Sequence, residues 1–275
     1  MQTMTPNYID SHAHLFFTDY ANELTAVLSR AKEAGVSVII VPGTDVKSSR
    51  EAIQLANQHE NIFACVGIHP HEALKAGHQD LAEIEKLCEH PKVVAIGEIG
   101  LDYHYDFSPR ELQQKYFVEQ MEIAVRKHLP VVLHMRESTE DVFSIVERTV
   151  NVNPNWKKNS TEPMRGVFHC FPGTADQAAY VHELGFCVSF PGIVTFKKSN
   201  SIEVVKQIGI QNILLETDSP YMTPVPLRGK RNEPANIVLI GRKIAEALNI
   251  SEEEVARITT ENAMRLFSPH QFRKE

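Results

Sequence analysis

The chain has 275 residues, 43% hydrophobic and 23% charged, the composition of a globular protein able to bury a large core. No apolar run is long enough to span a bilayer, and the opening "MQTMTPNYID" lacks the basic and apolar segments of a secretory leader, so a cytoplasmic protein with no membrane partner is expected. Thirty-five acidic against 28 basic residues give a formal charge of −7, which excludes a broad basic footprint for coating duplex DNA but leaves room for a local phosphate pocket.

The first predicted strand, 8–15 "YIDSHAHL", places His12 and His14 two residues apart and so on one side of a strand. Alone, the pair reads first as hydrogen-bonded core histidines, with half of a metal site as the sharper alternative. Further strands are expected at 37–43, 62–69, 93–101, 130–136, 165–171, 186–194 and 212–218, each β-branched or apolar and bounded by Gly, Pro or polar residues. Amphipathic helices are expected between them at 20–34, 48–59, 79–89, 109–127, 138–149, 174–184, 201–208 and 235–248. Pro109 suits a first helical position, Thr174 and Ser201 suit caps, and Gly35, Gly185 and Gly209 suit helix ends. A polar, turn-rich surface loop is expected at 151–164, and one or two short helices at 251–267.

Eight strand–helix units in one chain predict a single α/β domain over 1–275, a (β/α)8 TIM barrel with 251–275 as a C-terminal helical extension. A doubly wound sheet is the runner-up, but no G-x-G-x-x-G follows the first strand. The four cysteines form no C-x-x-C pair and are expected to be reduced thiols, most of them buried.

In such a barrel the active site lies at the C-terminal ends of the strands. His12 and His14 close the first predicted strand, His69 the third, His134 the fifth, His169 the sixth and Asp218 the eighth, while the fourth carries Glu98. One such residue would read as a structural histidine or a helix cap; six strands doing it together predict a metal centre.

"DSHAHL", "GIHPH", "AIGEIGLDYHYD", "LHMRES", "FHCFPGT" and "LLETDSPYMTPVPLRGKRNEP", in this order, resemble the TatD family of metal-dependent hydrolases, within the wider amidohydrolase barrels. The resemblance implies a TatD-type deoxyribonuclease that cleaves phosphodiester bonds in DNA, single-stranded or at ends. It also implies two divalent ions (Mg²⁺, Mn²⁺ or Zn²⁺), with His12, His14 and Asp218 holding one, His134 and His169 the other, and Glu98 between them. Many amidohydrolases bridge with a carboxylated lysine; "AIGEIGLD" contains none, and Glu98 takes that place. Two departures, Pro172 where serine is common and Ser219 where alanine is frequent, remove no ligand.

Two divalent ions supply a nucleophilic oxygen at neutral pH and charge for an anionic transition state. Asp218 is expected to act also as proton acceptor, and Glu98 to be catalytic as the bridge. Substrate contacts are expected from His69, which resembles a phosphate-binding family histidine, from Arg136, which shares parity with His134, and from Arg228 in the basic run with Lys230 and Arg231. The alternative for Arg136 is a salt bridge to Glu137 or Asp141, and for Asp218 a helix N-cap. Asp10 and Glu216 are expected to orient ligand imidazoles, and Asp102 to line the pocket; His71, His104, His128 and His182 are expected at the surface or in loops. The rival activity is a metal-dependent amidohydrolase or deacylase on a small or tRNA-linked substrate, since a dinuclear site polarises carbonyls as well. A catalytically silent metal-binding protein is the third class.

Overall fold

The structure, a computed structural model, describes residues 7–157 and 164–267. Eight parallel strands pair in chain order: β1 (Tyr8–Asp10), β2 (Val36–Pro42), β3 (Ile62–Val66), β4 (Val93–Asp102), β5 (Val131–Arg136), β6 (Gly166–Phe168), β7 (Phe186–Phe190) and β8 (Ile213–Leu215). Beyond the ladders, hydrogen bonds between the first and eighth segments close the ring. The Ser11 amide donates to the Leu215 carbonyl (3.0 Å), the Asp218 amide to that of His12 (2.9 Å) and the His14 amide to that of Ser219 (2.8 Å).

Helices α1 (Leu24–Glu33), α2 (Val46–Gln58), α3 (His78–Leu87), α4 (Arg110–Lys127), α5 (Thr139–Val152), α6 (Ala175–Glu183), α7 (Ser201–Ile208) and α8 (Ile237–Leu248) alternate with the strands. This is the TIM barrel expected, covered outside by helices, which is why the strands read as near-continuous apolar runs. Inside, Ile9, Val38, Ile40, Phe63, Cys65, Val132, Val167, Cys187 and Leu214 pack as one layer. Ala263, Leu266 and Phe267 of α9 (Glu252–Phe267) join that layer and plug the end opposite the polar mouth. The C-terminal extension is thus a single helix with a packing role; residues 268–275 lie outside the described residues. Among the described residues no helix is long and apolar enough to cross a membrane.

Several local expectations shift. β1, β6 and β8 have only three residues each, because the polar residues that follow leave the ladder for the mouth. Thr174 caps α6 as expected, through the Gln177 amide, but Asn200 occupies the N-cap position of α7 and Ser201 is its first residue. Pro109 stands one position before α4 rather than within it. Gly35, Gly185 and Gly209 follow their helices with φ of 86°, 83° and 70°, the left-handed turn that glycine adopts without a Cβ clash. The segment after α5 is not all surface. Trp156 is 2% exposed, and its indole donates to the Leu129 carbonyl at 3.0 Å. Residues 158–163 of that expected loop lie outside the described residues.

Gly100 holds β4 and β5 together at the level of the site. Its φ is 137°, and a methyl group here would collide with the His134 carbonyl. Gly100→Ala is therefore expected to cost more than the ~1–3 kcal/mol of a strained backbone and to lower the melting temperature. A melt matching the wild type would refute the close approach.

Candidate metal centre

Strand parity carries the apolar interior directly into a polar mouth. Leu214 is followed on the same face by Glu216 and Asp218, Val132 by His134, Val167 by His169, Cys187 by Ser189, and Cys65 by Gly67 and His69. Three of these segments turn through left-handed residues as they leave the barrel: Glu137 (φ 53°), Cys170 (φ 46°) and Asp218 (φ 51°). The second histidine pair arises differently: β1 ends at Asp10, and His12 and His14 project from the segment beyond it, their Nε2 atoms 3.2 Å apart.

Glu98 lies at the centre, and its two oxygens face different histidines. Oε1 is 3.0 Å from His134 Nδ1, 2.9 Å from His169 Nε2 and 3.4 Å from His69 Nε2. Oε2 is 3.4 Å from His12 Nε2 and 3.7 Å from His14 Nε2. Burial opposes ionisation of this carboxyl, but the surrounding imidazoles, His169 and His69 foremost, hold its pKa well below the usual value. Asp218 completes the group, with Oδ1 at 3.8 and 3.7 Å from the same His12 and His14 nitrogens, beyond hydrogen-bond length. Burial, and then repulsion from Glu98, push its pKa well above the carboxylate range. No α-helix starts at Asp218; the next element is a short 3₁₀ turn at Pro234–Asn236, so the N-cap reading of "TDSP" is excluded.

Burial lowers the pKa of His12 to about 4 and of His14 to about 3, so both are neutral at pH 7, the form that binds metal. His134 is the exception: burial works against its charge, but Asp102 and Glu98 outweigh it and raise it to about 9. Its Nε2 donates to Asp102 Oδ2 at 3.0 Å, which leaves Nδ1 facing Glu98. Asp102 is fully buried and does more than line a pocket, since the same oxygen lies 2.9 Å from His71 Nε2. His71 is therefore part of the site and not a bystander. The signal was in "GIHPH", but the turn that begins at Pro70 breaks the strand parity that would have revealed it.

His69 is fixed in one tautomer. Its Nδ1 accepts the His71 amide at 3.2 Å, so in the neutral ring the proton sits on Nε2, directed at Glu98. Burial lowers its pKa to about 4. Although it lies within reach of a set with Glu98 and His134, a ring that presents N–H to the site offers a hydrogen bond and no lone pair.

The carboxylates expected to orient imidazoles do other work. Asp10 accepts the Thr217 amide (2.9 Å), the Thr217 hydroxyl (2.6 Å) and the His12 amide (3.3 Å), which latches the end of β1 to the end of β8. Glu216 accepts the Cys170 amide (2.5 Å) and the Ser189 hydroxyl (2.7 Å); His169 Nδ1 is 3.8 Å away. Neither carboxylate takes an imidazole N–H.

Among the described residues Glu137 pairs with His104 and Asp141 with Tyr103 and Gln114, so neither takes up Arg136. The exposed Arg136 guanidinium lies 4.9 Å above the Tyr105 ring. The basic run splits. Arg231 is committed to Glu23 at 2.7 Å and to the Asp19 carbonyl, whereas Arg228 rests on the Phe196 ring at 4.2 Å and Lys230 is exposed.

Buried neutral imidazoles facing one another and facing carboxylates offer lone pairs to a cation, and His12, His14 and Glu98 bring their donor atoms within 4.8 Å of one another, as do His12, His169 and Asp218. The residues present fit a divalent ion.

A barrel with such a mouth is the architecture of a metal-dependent hydrolase. The chain belongs to the TatD family: the profile described as "TatD related DNase" matches residues 9–268. It is 42% identical over 259 residues to the uncharacterized metal-dependent hydrolase YabD of Bacillus subtilis, spanning 94% of this chain and 98% of that protein. It is 33% identical over 266 residues to the 3'-5' ssDNA/RNA exonuclease TatD of Erwinia tasmaniensis, spanning 94% and 99%. The crystal structure of YjjV, a TatD homologue from Escherichia coli, superposes with a TM-score of 0.88 at 30% identity, covering 96% of this chain and 99% of that one.

The Asp10 latch can be tested by stability alone. Asp10→Ala leaves buried Thr217 donors without an acceptor and is expected to cost on the order of 3 kcal/mol, while Asp10→Asn keeps one oxygen and loses less. Equal melting temperatures for the two variants would show that the carboxylate does not hold the barrel closed.

Proposed function

We propose that this metal-dependent hydrolase is a phosphodiesterase acting on DNA, on single strands or at ends, through a dinuclear site. His12, His14 and Asp218 would hold one ion and His134 and His169 the other, with Glu98 shared between the two sets. Bound there, two divalent ions supply a nucleophilic oxygen at neutral pH and compensate charge on the phosphate. Imidazole with carboxylate suits Zn²⁺, Mn²⁺ and Mg²⁺ to different degrees. The protein groups divide the remaining work. Asp218, made more basic by burial, accepts the proton of the attacking water. His69 donates its Nε2–H to a phosphate oxygen, and Arg136 grips the same group from the rim. Asp102 holds His134 in one orientation, as partners behind a ligand do. Arg228 and the exposed Lys230 supply positive field where the chain as a whole has none to spare.

The observation that carries this reading over a deacylase is the fixed N–H donor of His69 beside the Glu98 carboxylate, with Arg136 held on the rim over Tyr105. An anionic substrate oxygen uses such a donor and a guanidinium together. The name carried by the Erwinia tasmaniensis relative points the same way. The four cysteines are free thiols, which suits a reducing cytoplasm, where we place the chain.

Metal-dependent turnover of labelled single-stranded DNA beside a panel of amides and esters decides between the two activities. Cleavage of DNA is expected; amide turnover without it would establish the rival. On DNA, Asp218→Asn is expected to retain most affinity and lose at least about 100-fold in kcat, because an amide cannot take the proton. Turnover within a few-fold of wild type at saturating metal would remove Asp218 from the chemistry.

The ligand assignment also fixes the sign of a pH effect. His134 carries a proton below about pH 9 in the metal-free protein, and binding at Nδ1 must expel it. Metal affinity should rise with pH from 7 to about 9 and then level off. Asp102→Asn, which removes the anion that raises His134, should move the plateau to lower pH. Titration calorimetry in buffers of different ionisation enthalpy reads the released proton; an affinity flat across that window contradicts the assignment.

A further inference from the structure

The rim above Asp102 carries an aromatic surface that the phosphoryl chemistry leaves unused. Tyr105 and Phe107, in the turn after β4, are 41% and 57% exposed, with Leu74 beside them at 59%. The two rings stack on each other, centroids 5.2 Å apart and planes 24° from parallel. His71 sets its edge against both, at 5.5 and 4.8 Å, and Arg136 lies over Tyr105 at 4.9 Å. The same rings border a cavity of about 340 Å³ whose wall includes Asp102. Other large aromatic side chains, Phe63, Phe117, Phe168, Phe186 and Phe190 among them, are buried, and Tyr221, 55% exposed, lies apart beside Phe17 and His14. Exposing two adjacent rings forgoes that gain and marks a contact surface.

Its position says what it contacts. Through His71 and Asp102 the pair is tied to His134, one of the proposed ligands, and its neighbouring cation is the one assigned to the phosphate. A flat π surface one step from a phosphate grip matches a nucleotide, whose base and phosphate are separated by one sugar. We propose that Tyr105 and Phe107 form a stacking platform for one unpaired nucleobase of the strand whose phosphodiester lies over Glu98. The platform rests on the phosphodiesterase reading and adds substrate form to it. Stacking on an aromatic ring tolerates any base, so the platform imposes no sequence preference. It does impose single-strandedness: a base held in a duplex has both faces covered by its neighbours and its edge paired, and must be unstacked before it reaches the ring.

The test compares kcat/KM on three substrates: a single-stranded oligonucleotide, the same strand with abasic sites flanking the cleaved bond, and its blunt duplex. The wild type should favour the base-bearing strand over the abasic one by about 5- to 150-fold, the range for loss of one stacked base. Phe107→Ala and Tyr105→Ala should collapse that ratio toward one, mainly through KM, and narrow the preference for single strand over duplex. Phe107→Trp, which restores a flat ring, should preserve both. A wild type indifferent to the abasic sites, or a Phe107→Ala enzyme that keeps the full ratio, overturns the platform while leaving the phosphodiesterase reading intact. A wild type that cleaves none of the three strands but hydrolyses amides overturns both.

Discussion

Two buried carboxylates, Glu98 and Asp218, lie among imidazoles, and among the described residues neither is paired with a lysine or arginine. Isolated anions at that depth are costly, and the imidazoles that surround them are mostly pushed toward neutrality by the same burial. The site is therefore a charge deficit built into the top of a packed barrel. A divalent cation, as proposed, would offset it. His134 itself carries a proton between Glu98 and Asp102, which raise its pKa to about 9.

The barrel makes such a deficit tolerable. Strands that carry site residues hold an apolar residue two positions below on the same face: Val132 below His134, Val167 below His169, Leu214 below Glu216. The polar groups sit on rigid rungs, and the closure between the first and eighth strands is held by Asp10, which accepts the Thr217 amide and hydroxyl. Burying Asp10 raises its pKa to about 7, a cost accepted to fix the segment from which both His12 and His14 project.

The eight strands were legible because parallel strands covered on both sides are apolar throughout, and β2, β3 and β5 differ from the expected spans mainly at their ends. The convergence of histidines and acids was legible because parity survives along a strand. What was hidden lies where parity fails. His71 follows the turn at Pro70; Tyr105 and Phe107 lie in an irregular turn after β4; Asp10 spends its oxygens on backbone donors that no side-chain pattern announces. Arg231 looked like part of a uniform basic run, but its partner Glu23 is more than two hundred residues away in sequence. Trp156 sat in a segment polar enough to read as surface, and is buried because its indole meets a backbone carbonyl there.

An acidic chain that is to act on a polyanion, as proposed, must place its cations where they count. Several arginines are spent in ion pairs between neighbouring elements, such as Arg50 with Glu83, Arg126 with Glu85 and Arg242 with Glu252, and add little to the field at the mouth. Arg136 and Arg228 differ: each rests on an aromatic ring, which holds a guanidinium by its face and leaves the N–H edges free for an oxygen anion. An aromatic support costs no negative charge, so it positions a cation without cancelling it. That is how a protein with a net charge of −7 can keep two guanidinium groups free of carboxylate partners among the described residues. The same ring that supports Arg136 stacks on Phe107, so cation and aromatic surface are one structure, and each fixes the place of the other.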